Sequence, residues 1–285
     1  MNLRWIKHHE IIFIDMDLIN QKDLEDLKNK GFVLKKRVLK DSTIDKIKSL
    51  ILQNIEGKGS PDSHYPANLK SLLIKFLKLD FKKIISSYHL LTLRKKLNLD
   101  HYASLIFETK SELKMIDGYY NKKTNQDILP WHSDRAYSGA KFINTFNHPD
   151  DFSYKFFFYL TPVGPTNGCT SYFPESHKIT YAVRSCIFNK EINYRPFWTL
   201  RELINFIHYE DNYKKIIKKL DNEDILQSFL KTADICLNNK KANPFDFTAS
   251  PGDLLIFNET GIHRGSKPTL SDRVVLRYLY EKKNK

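Results

Sequence analysis

The sequence predicts an α+β protein whose core is a double-stranded β-helix, the two-sheet jelly roll. Three observations carry that expectation. Apolar residues recur at helical spacing through the first hundred or so positions. From about residue 113 the spacing changes to the alternation of half-buried strands. A helical excursion at about 179–248 then interrupts the strands, which resume afterwards. The 285 residues are enough to bury one large core, and no repeat or low-complexity linker divides them. One domain over 1–285 is therefore expected. Its helical part covers about 1–110 and its core about 111–280, with the helical insertion inside the core.

Taken in chain order, the first helix rests on Ile44, Ile47, Leu50 and Ile51, with Ser42 and Thr43 placed to cap it. Leu69, Leu72, Leu73, Phe76 and Leu77 make a second helical stripe, and residues 57–61 read as the loop between the two. Residues 113–120 are the first candidate strand. Residues 154–163 form a dense apolar run and read as a buried strand, and 170–173 as a short one. Leu200, Leu203, Ile204 and Ile207 open the helical insertion. Tyr213, Ile216, Ile217 and Leu220 follow, then Ile225, Leu226, Phe229 and Leu230. Pro251-Gly252 is a turn into a strand at 253–257. The last strand carries Val274, Leu276, Tyr278 and Tyr280 on one face.

A hydrophobic content of 41% and an aromatic content of 13% fit a globular protein. No apolar run is long enough to span a bilayer. Lys7, His8, His9 and Glu10 interrupt the N-terminal stretch, which does not read as a signal peptide. Cys169, Cys186 and Cys236 show no paired spacing, which fits a reducing cytoplasm. The net charge of +13 favours anionic partners, either small molecules or a membrane surface touched peripherally, or else reflects lysine-rich solvated faces. The lysines are dispersed, and no nucleic-acid module is present, so nucleic acid is not expected as a partner.

The chemistry begins at Trp131-His132-Ser133-Asp134. Residues two apart on a strand share a face, so an imidazole and a carboxylate at that spacing can grip one ion. His263, in Gly261-Ile262-His263-Arg264-Gly265, can complete the set from a distant strand. Two imidazoles and one carboxylate leave open coordination positions, which suits non-haem iron better than a closed zinc site. The motif has rivals. His148-Pro149-Asp150 reads as a turn, His8-His9-Glu10 lies near a terminus, and His208-Tyr209-Glu210 ends a helical pattern. Only His132 follows an apolar stretch that can lead a strand into a core.

Three segments in order then resemble the phytanoyl-CoA dioxygenase family of Fe(II)/2-oxoglutarate oxygenases. They are the His132 motif, residues 167–178 from Asn167-Gly168 to His177-Lys178, and the run from Pro251-Gly252-Asp253 through His263 to Arg273. Lys30-Gly31-Phe32-Val33-Leu34 is also similar to the start of the family. The resemblance spans about residues 25–280 and is weakest across the insertion. It implies a cupin-like jelly roll in which His132, Asp134 and His263 hold Fe(II), leaving positions for 2-oxoglutarate and O2. It assigns the distal carboxylate of 2-oxoglutarate to Arg273, with Arg277 on the same strand face as the rival. The reaction it implies couples oxidative decarboxylation of 2-oxoglutarate to hydroxylation of a small-molecule C–H. Halogenating relatives lack the metal carboxylate, and Asp134 is present here.

Lys114 and Ser266 are further candidates for the co-substrate, and Tyr159, Thr161 and Trp131 for the substrate pocket. His177 reads as part of a structural turn. Glu175 stands where the family commonly has glycine, which puts a charged side chain at a tight turn. The loop at 144–153 and the insertion are the parts expected to close over substrate, and Lys214, Lys215, Lys218 and Lys219 form either a solvated helix face or a basic rim. The reading from another functional class is a jelly-roll binding protein that kept the fold and lost catalysis.

Overall fold

The computed structural model describes residues 18–55, 62–134, 149–193, 195, 197–238 and 245–283. Helix α1 (Gln21–Lys30) opens on a capping box between Asn20 and Asp23 and closes on Gly31, whose φ of 88° is left-handed. Glycine is required there twice over. A Cβ would also lie 2.4 Å from the Tyr172 hydroxyl and 2.6 Å from His177 Nδ1. Strand β1 (Phe32–Lys35) follows at once. In α2 (Asp41–Ile55) the carbonyl of Lys40 accepts the Thr43 and Ile44 N–H groups. Ser42 and Thr43 therefore lie inside the first turn instead of capping it, because the helix starts before its apolar stripe does. Strand β2 (Asp62–Tyr65) precedes α3 (Leu69–Leu77), α4 (Phe81–Lys96) and α5 (Leu99–Ile106). The predicted loop at 57–61 lies outside the described residues.

Strands β3 (Ser111–Asn121), β5 (Ser153–Tyr159), β7 (Leu254–Asn258) and β9 (Arg273–Lys282) form the centre of a six-stranded antiparallel sheet. Its order is β1-β7-β5-β9-β3-β2. Strands β4 (Leu129–His132), β6 (Thr170–Tyr172) and β8 (His263–Gly265) form a three-stranded sheet in the order β4-β8-β6. The predicted strand at 154–163 ends early. Val163 keeps only an isolated bridge to Ala249, because Pro162 and the turn at Asn167-Gly168 take the chain out of the sheet.

The side-chain alternation of the large sheet separates two interiors. One face, with Tyr154, Phe156, Phe158, Val274, Leu276, Tyr278 and Tyr280, packs beneath the N-terminal helices. The other, with Phe157, Tyr159, Leu255, Phe257 and Val275, faces the small sheet and meets Tyr172. The insertion contains α6 (Ser176–Phe188), α7 (Leu200–Ile207), α8 (Asn212–Ile217) and α9 (Glu223–Asn238). These helices bury Trp131, Phe173 and Ile262 of the small sheet in a third cluster. The insertion thus backs the small sheet from outside. Helix α6 has no clean apolar stripe in the sequence, since it buries Ser176, Thr180, Arg184 and Ser185 along with its aliphatic residues.

Candidate metal centre and active site

His132 ends β4 and His263 starts β8. The two residues are register partners in the small sheet, and their rings lie 4.4 Å apart between centroids. Asp134 sits two residues past His132, beyond the end of the strand. Its backbone N–H donates to the Glu259 carbonyl at 3.2 Å, and that of Ser133 to the Trp198 carbonyl at 3.0 Å. The simple two-residue strand spacing therefore does not place Asp134. The turn that leaves β4 does. One Asp134 oxygen lies 3.5 Å from His132 Nε2 and the other 3.2 Å from His263 Nε2. Ligand atoms of the three residues all fall within 4.8 Å of one another.

The hydrogen bonds on the far side of each ring fix what these atoms are. His132 Nδ1 donates to the Pro130 carbonyl at 2.6 Å, and His263 Nδ1 to the Gly261 carbonyl at 2.8 Å. A carbonyl can only accept, so each Nδ1 carries a proton, and in a neutral ring Nε2 then offers a lone pair. His132 Nε2 is buried with no hydrogen-bond partner among the described residues. Two imidazole lone pairs and a carboxylate converging on one point repel unless a cation lies between them. Burial, followed by the neighbouring His132, pushes His263 down to about 4, so it stays neutral at ordinary pH. Burial would raise Asp134, but the Lys155 ammonium and the two imidazoles hold it well below the usual carboxylate range. The donor set fits a divalent metal.

Lys155 was not legible as a site residue. It projects from β5 of the large sheet, is buried, and bonds directly to Asp134, with Glu259 3.8 Å away. Its signal was present as a lone lysine inside a dense apolar run. Trp198, in the chain before α7, lies 5.2 Å from the His132 ring and has no signal in the sequence.

Arg273 is buried on the inner face of the large sheet. It donates to Asn121 at 3.1 Å and reaches Thr170 at 3.5 Å, while its Nε has no partner among the described residues. Burial lowers its pKa. A guanidinium in that state is short of an anion. Gly168, at φ 67°, turns the chain against it, and a Cβ there would lie 2.9 Å from Arg273 Cδ. Arg277, four residues on, is already committed, with Nε and Nη2 both donating to buried Asp117.

The remaining candidates separate. Ser266 is buried and its hydroxyl lies 3.2 Å from Cys169 Sγ, near Thr170. Tyr159 donates to Thr170 at 2.8 Å and lies under Arg273, so it belongs to the arginine's surroundings. Three placements are corrected. Lys114 is an exposed bulge residue of β3 paired with Glu112 and Glu281, and Lys155 is the lysine that reaches the centre. Trp131 alternates with His132 and so points the other way, into the insertion cluster against Phe173. Thr161 accepts the Val274 N–H at 3.0 Å and serves the strand end. Of the insertion lysines, Lys214 pairs with Asp211 and Lys219 with Glu191, and α8 packs on α6 and α7. His177 bonds to the Lys28 carbonyl, away from the centre. His208 caps the end of α7. The His148 and His8 motifs and most of the 144–153 loop lie outside the described residues.

This geometry agrees with comparison to known proteins. The family model for phytanoyl-CoA dioxygenase (PhyH) matches residues 27–274. The chain belongs to that family. It is thus a phytanoyl-CoA dioxygenase-family enzyme of the 2-oxoglutarate-dependent oxygenase class. No curated protein sequence matches it. Among solved structures it is similar to AviO1 from Streptomyces viridochromogenes Tue57, with a TM-score of 0.52 and 13% identity over 93% of this chain and 96% of that one. The epimerase SnoN, solved with Fe3+, alpha ketoglutarate and nogalamycin RO, gives 0.53 and 10% identity over 92% and 83%. HygX from Streptomyces hygroscopicus, solved with nickel and 2-oxoglutarate, gives 0.50 and 15% identity over 93% and 87%. At these identities the likeness is one of fold.

Proposed function

We propose that this protein is an Fe(II)- and 2-oxoglutarate-dependent hydroxylase of a small or conjugated metabolite. The observation that carries the reading is the inward convergence of two imidazoles and one carboxylate, whose ligand atoms all lie within 4.8 Å of one another. His132, Asp134 and His263 would hold the iron, and its three ligands on one side leave room for co-substrates. When bound, iron with 2-oxoglutarate supplies the oxidising power for C–H chemistry. Arg273 would take the distal carboxylate of 2-oxoglutarate on its Nε side, which has no partner among the described residues, with Ser266 and Thr170 close by. Lys155 keeps Asp134 ionised and oriented, and Trp198 walls one side of His132. The net charge of +13 favours a substrate that carries an anionic group.

The test is anaerobic addition of Fe(II) and 2-oxoglutarate to the purified protein. A visible charge-transfer band is expected in native protein and lost in His132→Ala. Arg273→Ala should raise the 2-oxoglutarate requirement about 100-fold, because a charge-assisted bond to a buried carboxylate is removed. Arg277→Ala should leave that requirement within a few-fold. A band that survives in His132→Ala, or the reverse order of the two arginines, would overturn the assignment.

A further inference from the structure

The hairpin of α3 and α4 presents a surface that the active site does not use. Asn68 caps α3 through a capping box and Asp80 caps α4, so both helices are locally well defined. Helix α4 is anchored through Ser86, Ser87, Leu90 and Leu93, which are buried. Helix α3 is different. No side chain described in it is buried, and a nine-residue helix in that state is marginal in water. Its apolar residues instead face outward. Leu73, Phe76, Leu77, Leu79, Phe81 and Ile85 are all more than half exposed, with Leu77 at 72% and Leu79 at 70%. Leu79 sits at the tip with φ 54°, in the left-handed region where a leucine side chain is strained. This one hairpin holds most of the exposed large apolar residues described in the molecule.

Its charge is equally one-sided. Residues 69–97 carry eight cations, from Lys70 to Lys96, against the single carboxylate of Asp80. Exposed Lys70, Lys78 and Lys82 sit among the exposed leucines and phenylalanines. Large apolar side chains framed by lysines on a short helical surface suit the boundary of an anionic bilayer. There the apolar groups enter the acyl region and the ammonium groups stay among the phosphates. A second copy of the chain suits it poorly, because a two-fold contact would set the same cations against one another.

We propose that the α3–α4 hairpin is a docking surface for an anionic lipid membrane. The contact is peripheral, since no described helix is long and apolar enough to cross one. The patch lies outside the metal centre, so the inference stands apart from the proposed reaction.

The experiment is sedimentation of the full chain with vesicles of phosphatidylcholine alone or with one-third phosphatidylglycerol. Binding to the anionic vesicles is expected, at least 10-fold tighter than to neutral ones and weakened by 0.5 M salt. Phe76→Gln with Leu77→Gln should reduce it at least 10-fold, while circular dichroism and the melting temperature show the fold intact. Lys78→Gln with Lys82→Gln should remove most of the preference for anionic lipid and spare residual neutral binding. Equal affinity of native protein and the apolar double variant would overturn the proposal. So would a failure of native protein to bind either vesicle. Lipid-independent dimers that the Phe76–Leu77 variant abolishes would reassign the patch to a second copy of the chain.

Discussion

At the scale of single residues, Lys155 is the most consequential side chain outside the His132, Asp134 and His263 cluster. It supplies a cation to Asp134, and Glu259 stands on its other side. Removing one partner of a buried pair leaves an uncompensated charge, at a cost of roughly 3–5 kcal/mol. Lys155→Met should therefore destabilise the metal-free protein by about 3 kcal/mol. A divalent metal can replace the ammonium as counter-charge, so the rise in melting temperature on adding metal should be larger in the variant than in native protein. Equal rises would mean that Lys155 does not neutralise Asp134.

Glu175 is the second such position. It adopts φ 63° ahead of α6, where the family commonly has glycine. An L side chain in that region costs about 1 kcal/mol. Its compensation is an i,i+3 ion pair with Lys178 at 2.8 Å, partly exposed and worth a few tenths of a kcal/mol. Glu175→Gly should raise stability by about 0.5–1 kcal/mol, read from denaturant melts.

At the scale of elements, His177 ties α6 to α1. Its Nε2 donates to the Lys28 carbonyl at 3.1 Å, while Nδ1 is buried near Gly31 without a partner among the described residues. Burial lowers it from 6.5 to about 4, with Lys178 adding to that effect and the Lys28 carbonyl and Glu175 opposing it. Between those two values the unfolded chain binds a proton that the folded chain refuses. The stability that neutral His177 contributes is complete above pH 6.5 and is lost as pH falls toward 4. The melting temperature should drop between pH 7 and pH 5, and drop less in His177→Gln. An identical pH slope in the two proteins would remove this link as the cause.

The same scale shows what sequence reading can reach. Helices and strands with a clean apolar period were legible, among them α2, α7, α9, β3 and β9. Strands β1 and β2 have four residues each, too few to display a period, and their pairing with β7 and β3 is a tertiary fact. Helix α6 escaped because its buried face mixes serine, threonine and arginine with aliphatic residues. In the site, the residues that cluster as His132, Asp134 and His263 were named from ordered motifs, and the family spacing favoured Arg273 over Arg277. Lys155, Trp198 and the reversed orientation of Trp131 did not follow from them. They depend on which face of a strand meets which sheet, and on a turn that lets Asp134 rejoin His132 after the strand has ended.

At the scale of the whole molecule, two helical layers buttress the jelly roll differently. The N-terminal helices cover the outer face of the large sheet, and the insertion covers the outer face of the small sheet that carries both histidines. The charged residues that matter for chemistry, Asp134, Lys155, Glu259 and Arg273, lie between the sheets, where the fold excludes bulk water from all but Asp134.

One detail of that interior sets how the protein acquires its metal. Each of the two imidazoles is tethered to the carbonyl two residues before it, so its aim is decided by three consecutive residues in each case. Their surroundings keep His263 neutral and Asp134 ionised before any metal binds. Loading a dication at pH 7–8 should then displace no hydrogen ion from either group and require no ring to flip. Calorimetric titrations with a divalent metal, run in two buffers of widely different ionisation enthalpy, should return the same heat. A difference equal to one buffer ionisation would mean that a proton leaves the centre as the metal enters.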